Sequence, residues 1–355
     1  MSTIKVNKIE NTATTNGGVA IDASGHVTLD GQQLPTAGAL SSRRININGA
    51  MQVAQRGTVV NAGNEYGGPD RYKFAKNDGA YTISQDTDVP SGSGFASSFK
   101  VDVTSAASST GNQYVIFQHK MEGQDLQQFK KGTSSAESFT LQFWIKSTKT
   151  GTYVVELTHT DNTRHVCKTY TVSSSNTWEY KTITFPADTS GVLANDNASS
   201  LQFNWWLYAG STYTSGTLPT SWAAFADANS AVGQVNAADN TSNNILFTGI
   251  QLEVGEKATP FEHRSFGDEL ARCQRYFYII TQDVFAFQYR GDYRMVQVQF
   301  PQQMRASPTV TADYDPSSGW QNHQPNNTQV SAYIAQSSTA TTNTNVTNLK
   351  LSSEL

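Results

Sequence analysis

Between residues 80 and 254 the chain repeats one pattern, a short run of β-branched and aromatic residues bounded by Gly, Ser, Asn, Asp or Thr. The runs fall at 80–83, 98–103, 114–119, 139–146, 153–157, 168–172, 179–185, 201–208 and 244–254, and no helix-period segment interrupts them. Such side chains suit a pleated, half-buried surface, so the pattern predicts an all-β protein with an antiparallel jelly-roll or β-sandwich body. Period-two alternation assigns the faces. Leu141, Phe143 and Ile145 share one face and leave Trp144 on the other; Ile183 and Phe185 oppose Tyr180, Thr182 and Thr184.

At 355 residues the chain exceeds what one core fills, because single cores stop growing at roughly 250–300 residues. Three parts are expected. Residues 1–44 hold strands of three residues at 4–6, 19–21 and 27–29, with Asn16-Gly17-Gly18 and Asp30-Gly31 as turns. Hairpins this small are marginal alone, so this stem needs a partner surface, either the same segment of neighbouring subunits or another protein. Residues 45–265 are the body. Residues 266–355 form a small C-terminal β domain, introduced by one helical segment with Phe266, Leu270, Cys273 and Phe277 at spacings of four, three and four. Strands resume at 284–289, 294–300 and 308–312, and 337–346 reads as a Ser/Thr/Asn-rich loop.

Charged residues are only 15% of the chain, against ~25% in ordinary soluble proteins, and the net charge is −4. That balance gives no electrostatic footprint for nucleic acid. No run approaches the ~20 apolar residues of a membrane span. The first residues lack the apolar core of a secretory signal, so synthesis and retention in a cytosol, or release by lysis, is expected. Cys167 and Cys273, far apart and without a CxxC, read as buried apolar residues.

Several segments carry a family likeness. The run from Thr248-Gly249-Ile250-Gln251-Leu252-Glu253-Val254 through Pro260-Phe261-Glu262-His263-Arg264 to Cys273-Gln274-Arg275-Tyr276-Phe277 resembles the junction between a carbohydrate-binding-module-like jelly roll and a C-terminal β domain in bacteriophage tail-fibre proteins. The stretches 48–57, 68–72, 122–127 and 138–147 are similar to other elements of that family in the same order, and Ser2-Thr3-Ile4-Lys5-Val6-Asn7 to the starts of marine tailed-phage fibres. The resemblance implies a homotrimeric virion protein assembled in the host bacterial cytoplasm. It would join other tail or virion proteins through residues 1–44 and adsorb to host-surface polysaccharide. A structural fibre or connector on tail or head, without receptor binding, is the alternative.

No enzyme is expected. Asp102, Glu122, Asp125, Glu156, Glu179 and Glu253 show no pairing of the kind glycoside hydrolysis requires, and GxSxG, HExxH and Walker motifs do not occur. Glu122, Asp125 and Glu253 read as acids that close turns or strand ends. His159 and His165 can approach across a hairpin, where solvated imidazoles are expected. Loop acids Asp188, Asp196 and Asp227 are the only weak pointer to a structural calcium, and no cofactor is expected. Glycan binding instead needs an aromatic platform ringed by polar groups. Adjacent Trp205 and Trp206 must face opposite ways in a strand. With Phe203, Trp205 and Leu207 inward, Asn204, Trp206 and Tyr208 point outward, joined by Tyr213 and Trp222. That outer face can equally pack on a long loop or another subunit. Tyr314 and Trp320, with His323 and Tyr333, mark a second candidate near the C-terminal tip.

Overall fold

The computed structural model describes residues 8–10, 18–21, 27–29, 32–33, 42–107, 111–280, 287–290, 293–313, 320–323, 331–336 and 347–355. Four short strands, β1 (Lys8–Glu10), β2 (Gly18–Ile21), β3 (Val27–Leu29) and β4 (Gln32–Gln33), pair in succession as an antiparallel meander. The expected strands at 19–21 and 27–29 fall in β2 and β3; the one at 4–6 lies outside the described residues, as does the whole of the 337–346 loop together with residues 284–286.

The body is an antiparallel sandwich. Its strands are β5 (Val59–Val60), β6 (Glu65–Tyr66), β7 (Tyr72–Lys76), β8 (Ala80–Asp86), β9 (Ser98–Ser105), β10 (Tyr114–Glu122), β11 (Phe139–Ser147), β12 (Gly151–His159), β13 (Arg164–Val172), β14 (Glu179–Phe185), β15 (Ser199–Ala209), β16 (Ala223–Ala224) and β17 (Asn244–Val254). One sheet runs β16-β13-β12-β15-β10-β7-β6 and the other β14-β11-β17-β9-β8-β5. A single helical turn, α1 (Ser211–Thr214), follows β15.

Alternation sends Leu141, Phe143 and Ile145 of β11 inward, as expected, and Phe139 with them, all with no exposed surface, against Phe117, Val155, Phe203 and Trp205 of the facing sheet. Phe117 sits at the centre of an aromatic stack, its ring 5.0 Å from Tyr72, 4.8 Å from Phe247 and 5.3 Å from Trp205. Offset aromatic pairs at such distances add to the gain from burial. On the outside of β11, Trp144 leans on Tyr180 at 5.3 Å.

The C-terminal part begins with α2 (Phe266–Gln274), capped by Ser265, whose hydroxyl accepts from the Asp268 amide at 3.1 Å. Leu270 and Cys273 pack on Ile47 and Val53 with Tyr276. Phe266, at the first helical position and outside that contact, is 55% exposed, and Phe277 belongs to the next strand; the expected four-residue apolar stripe is therefore two residues wide. β18 (Phe277–Ile280), β19 (Phe287–Arg290), β20 (Tyr293–Gln299), β21 (Thr309–Asp313), β22 (Trp320–His323), β23 (Ser331–Gln336) and β24 (Thr347–Ser352) make two small sheets, ordered β18-β24-β21 and β19-β20-β23-β22. Val298, Met304, Val310, Leu349 and Leu351 form a core of their own.

Buried ions tie this part to the sandwich. Glu269 of α2 pairs with Arg44 and accepts from the Asn48 amide at 2.7 Å; Glu354 pairs with Arg71. Glu122, which the sequence suggests closes a turn, is fully buried, receives Arg275 through two bonds of 3.0 and 2.8 Å and takes the Tyr276 hydroxyl as a further donor. Glu253 does close a turn, accepting from the Thr259 amide at 2.8 Å. Gly49 lies against β17 so closely that a Cβ there would stand 1.9 Å from the Ile250 carbonyl.

Trp205→Ala is expected to cost about 3–5 kcal/mol in urea unfolding, the range for emptying a large aromatic site, whereas Val60→Ala, 68% exposed, should stay within about 0.5 kcal/mol.

Candidate functional site

The outer face of the larger sheet presents its side chains in rows fixed by strand register. One row reads Lys73, Gln118, Asn204, Glu156 and Cys167, each opposite the next across β7, β10, β15, β12 and β13. The neighbouring row reads Lys120, Gln202, Thr158 and His165. On the other side of the first row, Ile116 stands opposite Trp206.

A chain of hydrogen bonds in the polar rows runs toward one carboxylate. Gln118 and Gln202 donate to Asn204 Oδ1 at 2.8 and 2.6 Å, and Asn204 Nδ2 donates to Glu156 Oε2 at 3.0 Å. The Trp206 indole N–H reaches the same oxygen at 3.2 Å, while His165 Nδ1 lies 2.8 Å from Glu156 Oε1. Glu156 is 1% exposed, so its oxygens are satisfied by these donors rather than by water.

Trp206 does face outward, but it is only 3% exposed. The excursion at 210–235 folds back over it: the Tyr213 ring lies tilted against Trp206 at 5.0 Å, and Leu218 and Ala231 join the same cluster with Ile116, Val154 and Cys167. The Cys167 amide donates to the Pro219 carbonyl at 2.7 Å, and Gln234 accepts from the Val154 amide at 2.7 Å, anchoring the loop to the sheet. Between this loop and the sheet remains a groove of about 430 Å³. Its floor is Gln118, Gln202, Asn204, Glu156 and Thr158; Tyr114, Trp206, Tyr213, Phe225 and Asp227 line one flank, Asn64 and Lys73 the other.

Of the residues singled out in the sequence, Asn204, Trp206 and Tyr213 therefore meet at one site. Tyr208 does not. A bulge places Val115 opposite Tyr208 but Ile116 opposite Trp206, so the extra residue, Leu207, flips the phase and Tyr208 turns into the sandwich core. Trp222 also lies elsewhere: its indole donates to the Pro186 carbonyl at 2.9 Å and its ring receives Lys131 Nζ at 3.4 Å. Tyr314 lies outside the described residues, as does the side chain of Trp320 in β22. Gln118, Gln202 and Thr158 were not singled out in the sequence, and Glu156 only as an acid without a partner; even spacing puts Gln202 on the face of Trp206 and Glu156 and Thr158 on that of Val154, while Gln118 joins them through the register of β10 with β15.

His159 and His165 are fully buried, not solvated, because both lie where β12 and β13 are covered by the 219–226 segment and Gly191. Burial depresses the His159 imidazole below its ordinary range, with Lys131 adding to the effect. Glu156, His165 and Cys167 bring their ligand atoms within 4.8 Å of one another. The thiol, however, donates to the Ser230 carbonyl at 3.4 Å and burial pushes its pKa well up, which keeps it a protonated donor rather than a thiolate ligand. Asp188 is committed to Lys131 at 2.9 Å and Arg164 at 3.1 Å. Although burial opposes it, the Lys131 and Arg164 bonds lower the Asp188 carboxyl to about 2. A larger hollow of about 690 Å³ beside α2 is lined by Arg264, Arg272, Arg275, Gln302 and Gln303, with His263 but no Trp, Tyr or Phe.

No protein-family model matches the chain, and no curated protein matches it. Among solved structures it is similar to the enzymatically active domain of tailspike protein 4 of bacteriophage CBA120 (12% identity over 56% of this chain and 22% of that one, TM-score 0.30). It is also similar to a CBM4 module (13%, 59% and 99%, TM-score 0.30) and to the family 11 carbohydrate-binding module of Clostridium thermocellum in complex with a β-1,3-1,4-mixed-linked tetrasaccharide (14%, 57% and 98%, TM-score 0.27). The chain spans about a fifth of the tailspike structure's length.

Two outcomes follow from the buried acids. Glu156→Ala removes the acceptor of the Trp206 and His165 donors, and one of two acceptors of Asn204 Nδ2, and should cost about 3–5 kcal/mol in urea unfolding. Asp188, whose folded pKa lies below the usual carboxylate value, contributes stability that is present above about pH 4 and fades as pH falls through about 2. Thermal melts should accordingly show Asp188→Asn less stable than the parent at pH 6, with the gap closing toward pH 2.

Proposed function

We propose that the protein binds glycans without cleaving them, in the groove over β7, β10, β15 and β12, and that it does so as a homotrimeric tail-fibre protein of a phage particle. The observation that carries the binding reading is the floor of the groove. Gln118, Gln202 and Asn204 are held in one orientation by the Glu156 carboxylate, beside Tyr114, Tyr213 and Phe225. Fixed amides hydrogen-bond sugar hydroxyls at little entropic cost, and aromatic faces receive sugar C–H surfaces, so the arrangement has the two components a saccharide site requires.

The same floor speaks against catalysis. Hydrolysis of a glycosidic bond takes two carboxylates flanking the bond, one of them able to give or take a proton. Glu156 has both oxygens engaged by donors from the protein, and the other groove acid, Asp227, stands on the loop side. In this proposal residues 1–44 attach the chain to the particle, 45–265 carry the groove and 266–355 form the C-terminal β domain. Assembly takes place in the host bacterial cytoplasm and the protein resides in the virion. Three linked copies let a millimolar site suffice, since a Kd of 1 mM corresponds to only about −4 kcal/mol and linkage adds avidity of roughly 10² or more.

The competing reading is a fibre or connector whose aromatics serve assembly alone; the burial of Trp206 by its own chain and of Tyr208 in the core favours it. Glycan arrays and host-cell binding separate the two. The adhesin reading expects saturable binding to envelope glycans, weakened about tenfold or more by Tyr213→Ala and by Gln202→Ala with unchanged melting temperature. Incorporation into particles with no glycan or cell binding supports the connector, and release of reducing ends from host polysaccharide establishes an enzyme.

A further inference from the structure

The groove carries two signs of charge, and their placement is uneven. Lys73 lines it at the β7 side, and Lys120 lies two residues beyond Gln118 on the same outward face of β10, opposite Gln202. Among the described residues neither ammonium has a carboxylate within 4.0 Å or a hydrogen-bond acceptor. Lys100, Lys130, Lys131, Lys146, Lys149 and Lys181 each stand within that distance of an acid; Lys168 and Lys257 lack one too, but neither lines the groove. Burial, then the charges of Lys73 and Arg71, holds the Lys120 ammonium below its ordinary pKa, so a cation is kept there against both desolvation and like-charge repulsion. Arg71 itself is paired with Glu354, whose carboxylate also acts on Lys120 from beyond 4.0 Å, so at this edge of the groove the two lysines are left without an ion-pair partner. The acids of the groove are elsewhere: Glu156 lies in the floor under its donors, and Asp227 on the loop side across from Lys73.

Building on the glycan-binding reading above, we infer that the groove takes an anionic polysaccharide, with a carboxylate or sulfate of one sugar seated between Lys73 and Lys120 and the neutral hydroxyls of the next unit on Gln118, Gln202 and Asn204. An anion at that point supplies the missing counter-charge to two ammoniums already partly withdrawn from water, which is where charge-assisted hydrogen bonds are strongest. General attraction cannot substitute for the site, because the chain as a whole carries a net charge of −4 and repels polyanions.

The test is calorimetric titration of the full chain with three oligosaccharides of equal length: an oligogalacturonate for carboxylate, a sulfated dextran fragment for sulfate, and a neutral β-glucan. At 50 mM NaCl one anionic ligand should bind at least about tenfold tighter than the neutral one, equivalent to one charged hydrogen bond of about 1.4 kcal/mol. The preference should shrink at 500 mM NaCl as the charges are screened. The Lys73→Gln/Lys120→Gln double variant should abolish it, the Lys73→Arg/Lys120→Arg variant should retain it, and Lys257→Gln in the loop after β17 should leave it unchanged. Comparable affinity for all three ligands, still sensitive to Tyr213→Ala, overturns the charge inference while the groove stands. Absence of binding by any of them overturns both.

Discussion

Two neighbouring tryptophans in the central strand of one sheet set the terms for the rest of the molecule. Strand geometry forces Trp205 and Trp206 to opposite faces. Trp205 joins Phe117, Phe143 and Phe247 in the sandwich core, and its loss would empty the centre of both sheets. Trp206 is left on a face that would otherwise meet water, and a large apolar ring there requires cover. The 210–235 excursion provides that cover through Tyr213, Leu218 and Ala231. By standing over the sheet without closing on the polar rows beside Trp206, it also makes the wall of the groove. Core packing and groove are thus two consequences of one dipeptide.

The polar rows obey a different constraint. Asn204, the Trp206 N–H and His165 are withdrawn from solvent and need partners, since an unpaired buried polar group costs about 1–3 kcal/mol. One acid, Glu156, serves all three. A buried carboxylate with several fixed donors polarises the chain of amides leading to it, so Gln118 and Gln202 are held with their N–H groups turned inward. A similar economy operates at the junction with the C-terminal part, where Glu122, Glu269 and Glu354 each neutralise an arginine drawn from a distant stretch of chain. Replacing any of these acids removes support from several elements at once.

The sequence made the strands, the sandwich and the inward set of β11 legible because period-two alternation is local. It also assigned Trp205 and Trp206 to opposite sides. It did not disclose the bulge at Leu207, which depends on the partner strand β10 and turns Tyr208 inward. Glu156 read as an isolated acid, because its three donors come from positions 9, 48 and 50 residues away. Gln202 shares a face with Trp206 by even spacing, but nothing local marks Gln118, and only the register of β7, β10, β15 and β12 makes them one surface. Phe266 fitted a helical stripe by spacing, yet the surface it would pack on ends short of it. In each case the missing information is pairing between distant segments.

A crystal structure of the protein with a bound oligosaccharide bears on the central claim most directly. The account places the sugar over Gln118, Gln202 and Asn204 against Tyr213, with Trp206 still covered and Glu156 still holding its three donors. A sugar seated in the arginine-lined hollow beside α2 or on the C-terminal sheets, with the groove over β15 occupied by water alone, would contradict it.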